Sequence, residues 1–195
     1  MKANELILAS SSPYRKILLE KFRLPFNFFS PDLDETPLQN ETVIDTVIRL
    51  ATLKAKAGSS RFPKAICIGA DTAAEYQGKI VNKPETHAAA VAQLEMLQGQ
   101  KIAFHTGVSL SQFVPEAKTL TEVVTTYVTF RTLNASQIEQ YLQIQKPYHC
   151  AASLKCEDFG PVIMEKFEGD DYTALIGLPL IRLARMLEAF GVRVI

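Results

Sequence analysis

Leu6-Ile7-Leu8-Ala9-Ser10-Ser11-Ser12-Pro13-Tyr14-Arg15-Lys16 is the stretch that decides the fold. Four apolar residues make a short buried strand, and three serines end it. Proline after serine then opens a helix, because the N–H it lacks is one that a helix start leaves unpaired anyway. A strand that turns into a helix within a few residues is the unit from which α/β proteins are built. Working outward, residues 26–29 read as a second strand, followed by a polar loop to Glu41. Thr42 with Asp45 forms a capping box. It opens a helix whose predicted inner stripe is Ile44, Val47, Ile48, Ala51 and Ala55. Residues 65–69 read as a buried strand with Ala70-Asp71-Thr72 at its end, and 75–81 as a hairpin around Gln77-Gly78.

The second half continues the pattern. Thr86 caps a helix striped by Ala90, Val91, Leu94 and Leu97 and closed by Gly99. Residues 102–110 and 120–131 alternate as long strands. Ser136 opens a helix to about Gln143. Residues 148–168 read as a strand, a loop and another strand. Gly177-Leu178-Pro179 leads into a last helix with Leu180, Leu183, Ala184 and Leu187 inward. The expectation is an α/β protein: a mixed twisted sheet flanked by helices, one domain over residues 1–195 with two lobes.

Composition narrows the function. The chain has 195 residues, 47% hydrophobic and 22% charged, which suits a globular domain. Its 21 Lys and Arg balance 21 Asp and Glu, so it lacks the basic excess of a nucleic-acid binder. The first ten residues do not resemble a signal peptide, and no apolar run is long enough for a membrane span. Three cysteines, Cys67, Cys150 and Cys156, form no C-x-x-C pair, so reduced thiols in the cytoplasm are expected. Walker A, G-x-G-x-x-G and G-x-S-x-G motifs are all missing. His87, His105 and His149 show no metal-ligand spacing, and His149 beside Cys150 is a poor nucleophile–base pair.

Four places carry chemistry. Ser11, Arg15 and Lys16 at a helix start suit an anion, since unpaired N–H groups and the helix dipole point the same way. The plainer alternative is a capped helix with surface cations. Asp32-Leu33-Asp34-Glu35 gathers carboxylates of the sort that hold Mg²⁺ together with substrate phosphates, or is simply a solvated acidic loop. Lys54 falls at the inner edge of its helix, where it either snorkels or charges a cleft. Asp71, after a buried strand, stands where α/β sheets place ligands, although a turn carboxylate is the alternative. Lys83 follows beyond the hairpin.

Taken together, S-S-S-P-Y-R-K, D-E-T-P, L-A-x-x-K-A, G-A-D-T, N-K-P-E and G-L-P-L resemble the Maf family of nucleotide pyrophosphatases. The resemblance runs from Leu6 to Gly191. It implies an ITPase-like mixed sheet with a central cleft between two lobes. It also implies hydrolysis of nucleoside triphosphates between the α and β phosphates, and a divalent cation such as Mg²⁺ or Mn²⁺. By position, Asp71 matches the proton acceptor. Ser11, Arg15, Lys54 and Lys83 match phosphate-contacting residues, and Glu35 the acidic residue that assists metal or water. Lys16 stands where the family often has a second arginine. Tyr14 and Glu157 look like the 7-methyl-GTP branch. A 7-methylated guanine is cationic and would favour an aromatic face, and a carboxylate accepts from its N1 and N2 donors. Thr72 instead looks like the dTTP/UTP branch, which leaves that substrate open beside a non-catalytic regulator of cell division. The resemblance also allows a homodimer.

Overall fold

A computed structural model describes residues 5–195; the first four of the ten residues compared with a signal peptide lie outside them. The elements run β1 (Leu6–Ala9), α1 (Pro13–Glu20), β2 (Phe26–Phe29), α2 (Val43–Arg61), β3 (Ile66–Tyr76), β4 (Lys79–Val81), α3 (His87–Leu97), β5 (Lys101–Gln112), β6 (Lys118–Phe130), α4 (Ala135–Gln145), β7 (Met164–Glu168), α5 (Tyr172–Ile176) and α6 (Leu180–Ala189). The described strands form one mixed sheet in the order β2-β1-β3-β5-β6-β7, with β4 beside β3. The β1 strand pairs parallel with β2 and β3, whereas β6 and β7 run antiparallel. The α/β class expected from the sequence is the one observed.

The chain divides into two compact units. The first holds Met1–Thr72, His105–Val124 and Asp171–Ile195; the second holds Ala73–Phe104 and Thr125–Asp170. In the first unit, Leu8, Leu19, Ile68, Val108, Leu183 and Leu187 belong to one apolar cluster, contributed by β1, α1, β3, β5 and α6. Burial of this kind supplies most of the free energy that holds the elements in place. The second unit contains the expected hairpin. Gln77 and Gly78 adopt φ of +52° and +76°, the left-handed pair that a tight β3–β4 turn requires.

Helix α2 lies very close to the sheet because two strand glycines leave room for it. A Cβ on Gly69 would meet the Ala51 carbonyl at 2.2 Å and Lys54 Cβ at 3.0 Å. One on Gly107 would meet the Val47 carbonyl at 2.4 Å. Hydroxyls complete the seat: Thr52 bonds Thr121 at 2.9 Å and Ser59 donates to Ser111 at 2.8 Å.

Three readings change. The buried stripe of α2 includes Val43, Val47, Leu50, Ala51, Lys54 and Ala55, while Ile44 and Ile48 face outward at 41% and 37% exposure. Two apolar stripes compete on this helix, and the close approach at Gly69 and Gly107 selects the one with small residues at the contact. Secondly, β3 does not end at Gly69 but continues to Tyr76, so Asp71 sits inside a long strand. Lastly, residues 148–163 hold two short 3₁₀ turns, Ala151–Ser153 and Gly160–Ile163, and no first strand. Ala152 and Ser153 take positive φ of 54°, which an extended segment excludes.

Candidate functional site

The first unit brings together five of the expected residues. Lys54, at 6% exposure, reaches from α2 between two carboxylates. Its Nζ lies 2.7 Å from Asp71 Oδ1 and 2.8 Å from Glu35 Oε1. Asp71 on β3 is also buried, whereas the Glu35 side chain, on the loop after β2, is 55% exposed. A buried ion pair tolerates the loss of water only when its geometry is good and further bonds satisfy it. Here one ammonium bridges both carboxylates, and the open side of Glu35 leaves the cluster accessible.

Beside it stands Arg15. Its Nε donates to the Gly177 carbonyl at 2.8 Å, and its two terminal nitrogens donate to Ser10 Oγ at 3.5 Å and Thr72 Oγ1 at 3.4 Å. Burial lowers the Arg15 pKa from its ordinary value, and the charges of Asp71 and Glu35 act in the opposite sense; a guanidinium stays protonated throughout. Thr72 is committed in a definite direction. Thr106 Oγ1 donates to the Ala174 carbonyl at 2.8 Å, so its bond to Thr72 at 3.1 Å takes the Thr72 proton. The Thr72 lone pairs then face Arg15.

Ser12, not Ser11, caps α1 by accepting from Arg15 N; Ser11 is exposed. Lys16 has its Nζ 4.2 Å from the centre of the Phe28 ring. Tyr14 is half-buried on the first turn of α1. Lys83 and Glu157 belong to the second unit. Glu157 is exposed and takes a weak thiol bond from Cys156 at 3.7 Å. None of the three cysteines forms a disulfide among the described residues. Burial pushes Cys67 up to about 12 and Cys150 up to about 11, and raises Cys156 as well. Thiolate chemistry at neutral pH is therefore closed to them, as the sequence suggested for the His149–Cys150 pair.

Reading the sequence missed Thr106, Asp171, Thr173 and the carbonyl of Gly177. Asp171 preceding Thr173 and an apolar run was a legible signal, since Asp is a preferred helix cap. The Gly177 carbonyl carried no side-chain signal at all.

Among the described residues no group of three or more His, Cys, Asp or Glu is placed to hold a metal. Glu35 and Asp71 nevertheless lie close together, each with one oxygen on the Lys54 ammonium. Two carboxylates fit a hard cation that takes its other oxygens from phosphate and water, and do not fit zinc or another cation needing a full protein cage.

The mixed α/β fold thus carries an arginine and a lysine beside two carboxylates. The family model described as Maf-like protein matches residues 5–190, and the chain belongs to that family. It is 46% identical over 191 residues to the 7-methyl-GTP pyrophosphatase of Aromatoleum aromaticum, covering 98% of each chain. The 7-methyl-GTP pyrophosphatase of Nitrosospira multiformis is 44% identical over 193 residues, covering 99% of this chain and 97% of the relative. The Staphylococcus aureus Ham1 protein shares the fold with a TM-score of 0.50 at 16% identity, covering 95% of this chain and 99% of that one.

Proposed function

We propose that this chain hydrolyses a nucleoside triphosphate between the α and β phosphates, releasing a monophosphate and pyrophosphate, and that its substrate is 7-methyl-GTP. The observation that carries the reading is the Lys54 ammonium held by Asp71 and Glu35 at 2.7 and 2.8 Å. A carboxylate and an ammonium side by side support it, because attack at a phosphorus centre draws on both a base and a cation.

Asp71 orients water and takes its proton; general-base help of this kind is worth about 10²–10⁴-fold. Arg15 and Lys54 bind phosphate oxygens and oppose the charge that builds on the departing pyrophosphate. The family resemblance implies Lys83 as a further phosphate-contacting cation. No covalent intermediate is needed, in keeping with thiols that burial holds protonated.

Within the first unit, Arg15 and Lys54 are offset by Glu35 and Asp71. A triphosphate carries about four negative charges, so this cluster cannot neutralise it unaided. We infer that Mg²⁺ or Mn²⁺ accompanies the substrate, with Glu35 and Asp71 as its protein ligands. Bound there, such an ion supplies charge neutralisation on the phosphates and a more acidic water.

For the base, the supporting features are Tyr14 and Glu157. An aromatic ring favours the cationic 7-methylguanine by about 1–2 kcal/mol when desolvated, and a carboxylate suits its N–H donors. Thr72, the residue that resembles the dTTP/UTP branch, spends its proton on Thr106 and its lone pairs on Arg15, so it carries less weight in choosing a base. Comparing kcat/KM for 7-methyl-GTP, GTP, UTP and dTTP tests the assignment: 7-methyl-GTP should lead, and a lead for UTP or dTTP rejects it. Binding without turnover of any of the four would favour a non-catalytic regulator.

No helix among the described residues is long and apolar enough to cross a membrane. We place the enzyme in the cytoplasm, where nucleotides and reduced thiols coexist, with a small nucleotide rather than a nucleic acid as its partner. A homodimer, if formed, would be read by light scattering.

A further inference from the structure

We propose that Asp171 is a positioning residue of this site, acting through Arg15 by stapling the segment that holds the guanidinium. The inference rests on the reading of Arg15 as a phosphate ligand.

Asp171 is 4% exposed and is spoken for on both oxygens. Its Oδ1 accepts from Thr173 N at 2.9 Å and Thr173 Oγ1 at 2.5 Å, and its Oδ2 accepts from Ile181 N at 2.9 Å. Thr173 Oγ1 in turn accepts from Leu180 N at 2.9 Å. One carboxylate and one hydroxyl therefore tie the start of α5 to the start of α6. The chain between those ties is Ala174–Pro179, and it is closed further by Gly177 N and Leu178 N, which both donate to the Thr173 carbonyl at 3.1 Å.

Two carbonyls of that tied segment reach Arg15. Gly177 O takes Nε directly at 2.8 Å. Ala174 O takes the Thr106 hydroxyl, which accepts from Thr72, which accepts from Arg15. Each hydrogen in this relay has only one place to go, so its direction is fixed by the carbonyl at its end. The guanidinium plane is thereby set from two sides by one short segment, 162 residues away in sequence at Gly177. Gly177 itself has φ of +127°, and a Cβ there would stand 3.4 Å from Arg15 Nε. That distance is ordinary contact, so it is the backbone conformation, rarely adopted by other residues, that favours glycine in this turn. A bidentate contact depends on the orientation of the fork, so loosening the staple misaims Arg15 without touching substrate.

A double-mutant cycle separates this from simple support of the fold. Asp171→Asn keeps the shape, but one terminal atom becomes a donor facing donors. Expected is a loss in kcat/KM for 7-methyl-GTP of about tenfold, mostly through KM, and of less than about twofold when Arg15→Lys has already removed the fork; contacting residues couple in this way. If Asp171→Asn does not fold, Thr173→Val goes through the same cycle. The cycle is repeated as Kd for the non-hydrolysable α,β-methylene analogue of the nucleotide. Equal losses in both backgrounds, or no loss beside Arg15, overturn the proposal. Coupling in Kd without turnover by the parent chain would uphold Asp171 and instead reject the hydrolase reading.

Discussion

Asp71 and Lys54 form a buried pair, and the proposed mechanism gives its halves different jobs, so their substitutions should differ in kind. Asp71→Asn leaves an acceptor for the Lys54 ammonium at its 2.7 Å position. It should fold normally and lose at least about 100-fold in pyrophosphate release, the share a positioned base supplies. Lys54→Met strands a buried carboxylate and should cost stability as well as activity, on the order of 3 kcal/mol in urea unfolding. Glu41 gives a pH signature away from the site. Its bonds from Arg49, Leu38 N and Thr46 hold its carboxyl at about 2, below the ordinary 4.5. The folded form therefore gains from the ionised carboxylate above pH 4.5, and that gain disappears as the pH falls from 4.5 towards 2. Glu41→Gln should be less stable than the parent at pH 7, with the difference closing by about pH 2 in acid titrations followed by circular dichroism.

At the scale of elements, α2 is the part that aims Lys54, and the glycines beneath it set its height. Gly107→Ala would place a methyl group 2.4 Å from the Val47 carbonyl, a backbone atom that cannot swing aside. Unfolding should show a loss of about 1–3 kcal/mol, the usual cost of overpacking, together with weaker turnover as Lys54 is lifted from Asp71. Most elements could be read from spacing and caps: the Ser12-Pro13 start, the Thr42–Asp45 box and the Gln77-Gly78 turn are local signals, and each appears in the structure. The errors share a cause. Choosing between Ile44-Ile48 and Val43-Val47-Leu50 requires knowing what α2 faces, and the length of β3 past Gly69 depends on partners β4 and β5. The site divides the same way. Asp71, Lys54, Glu35 and Arg15 were marked by charge in unusual places. The Gly177 carbonyl matters only because folding brings it to Arg15, and Thr106 because folding brings it to Thr72, while Lys16 has its ammonium over the Phe28 ring.

For the molecule as a whole, 21 basic and 21 acidic residues give no net charge. Substrate attraction must then be local, and the cation that accompanies the triphosphate is expected to be essential. Chelation by EDTA should abolish turnover, and Mg²⁺ or Mn²⁺ should restore it, while the melting temperature changes little because the donor pair is already held by Lys54. The account stands or falls on where water attacks. In water enriched in ¹⁸O, hydrolysis of 7-methyl-GTP followed by mass spectrometry of the products should place the label in the nucleoside monophosphate, leaving pyrophosphate unlabelled. Label in pyrophosphate, or release of inorganic phosphate with a diphosphate, would contradict attack on the α phosphorus by water activated at Asp71.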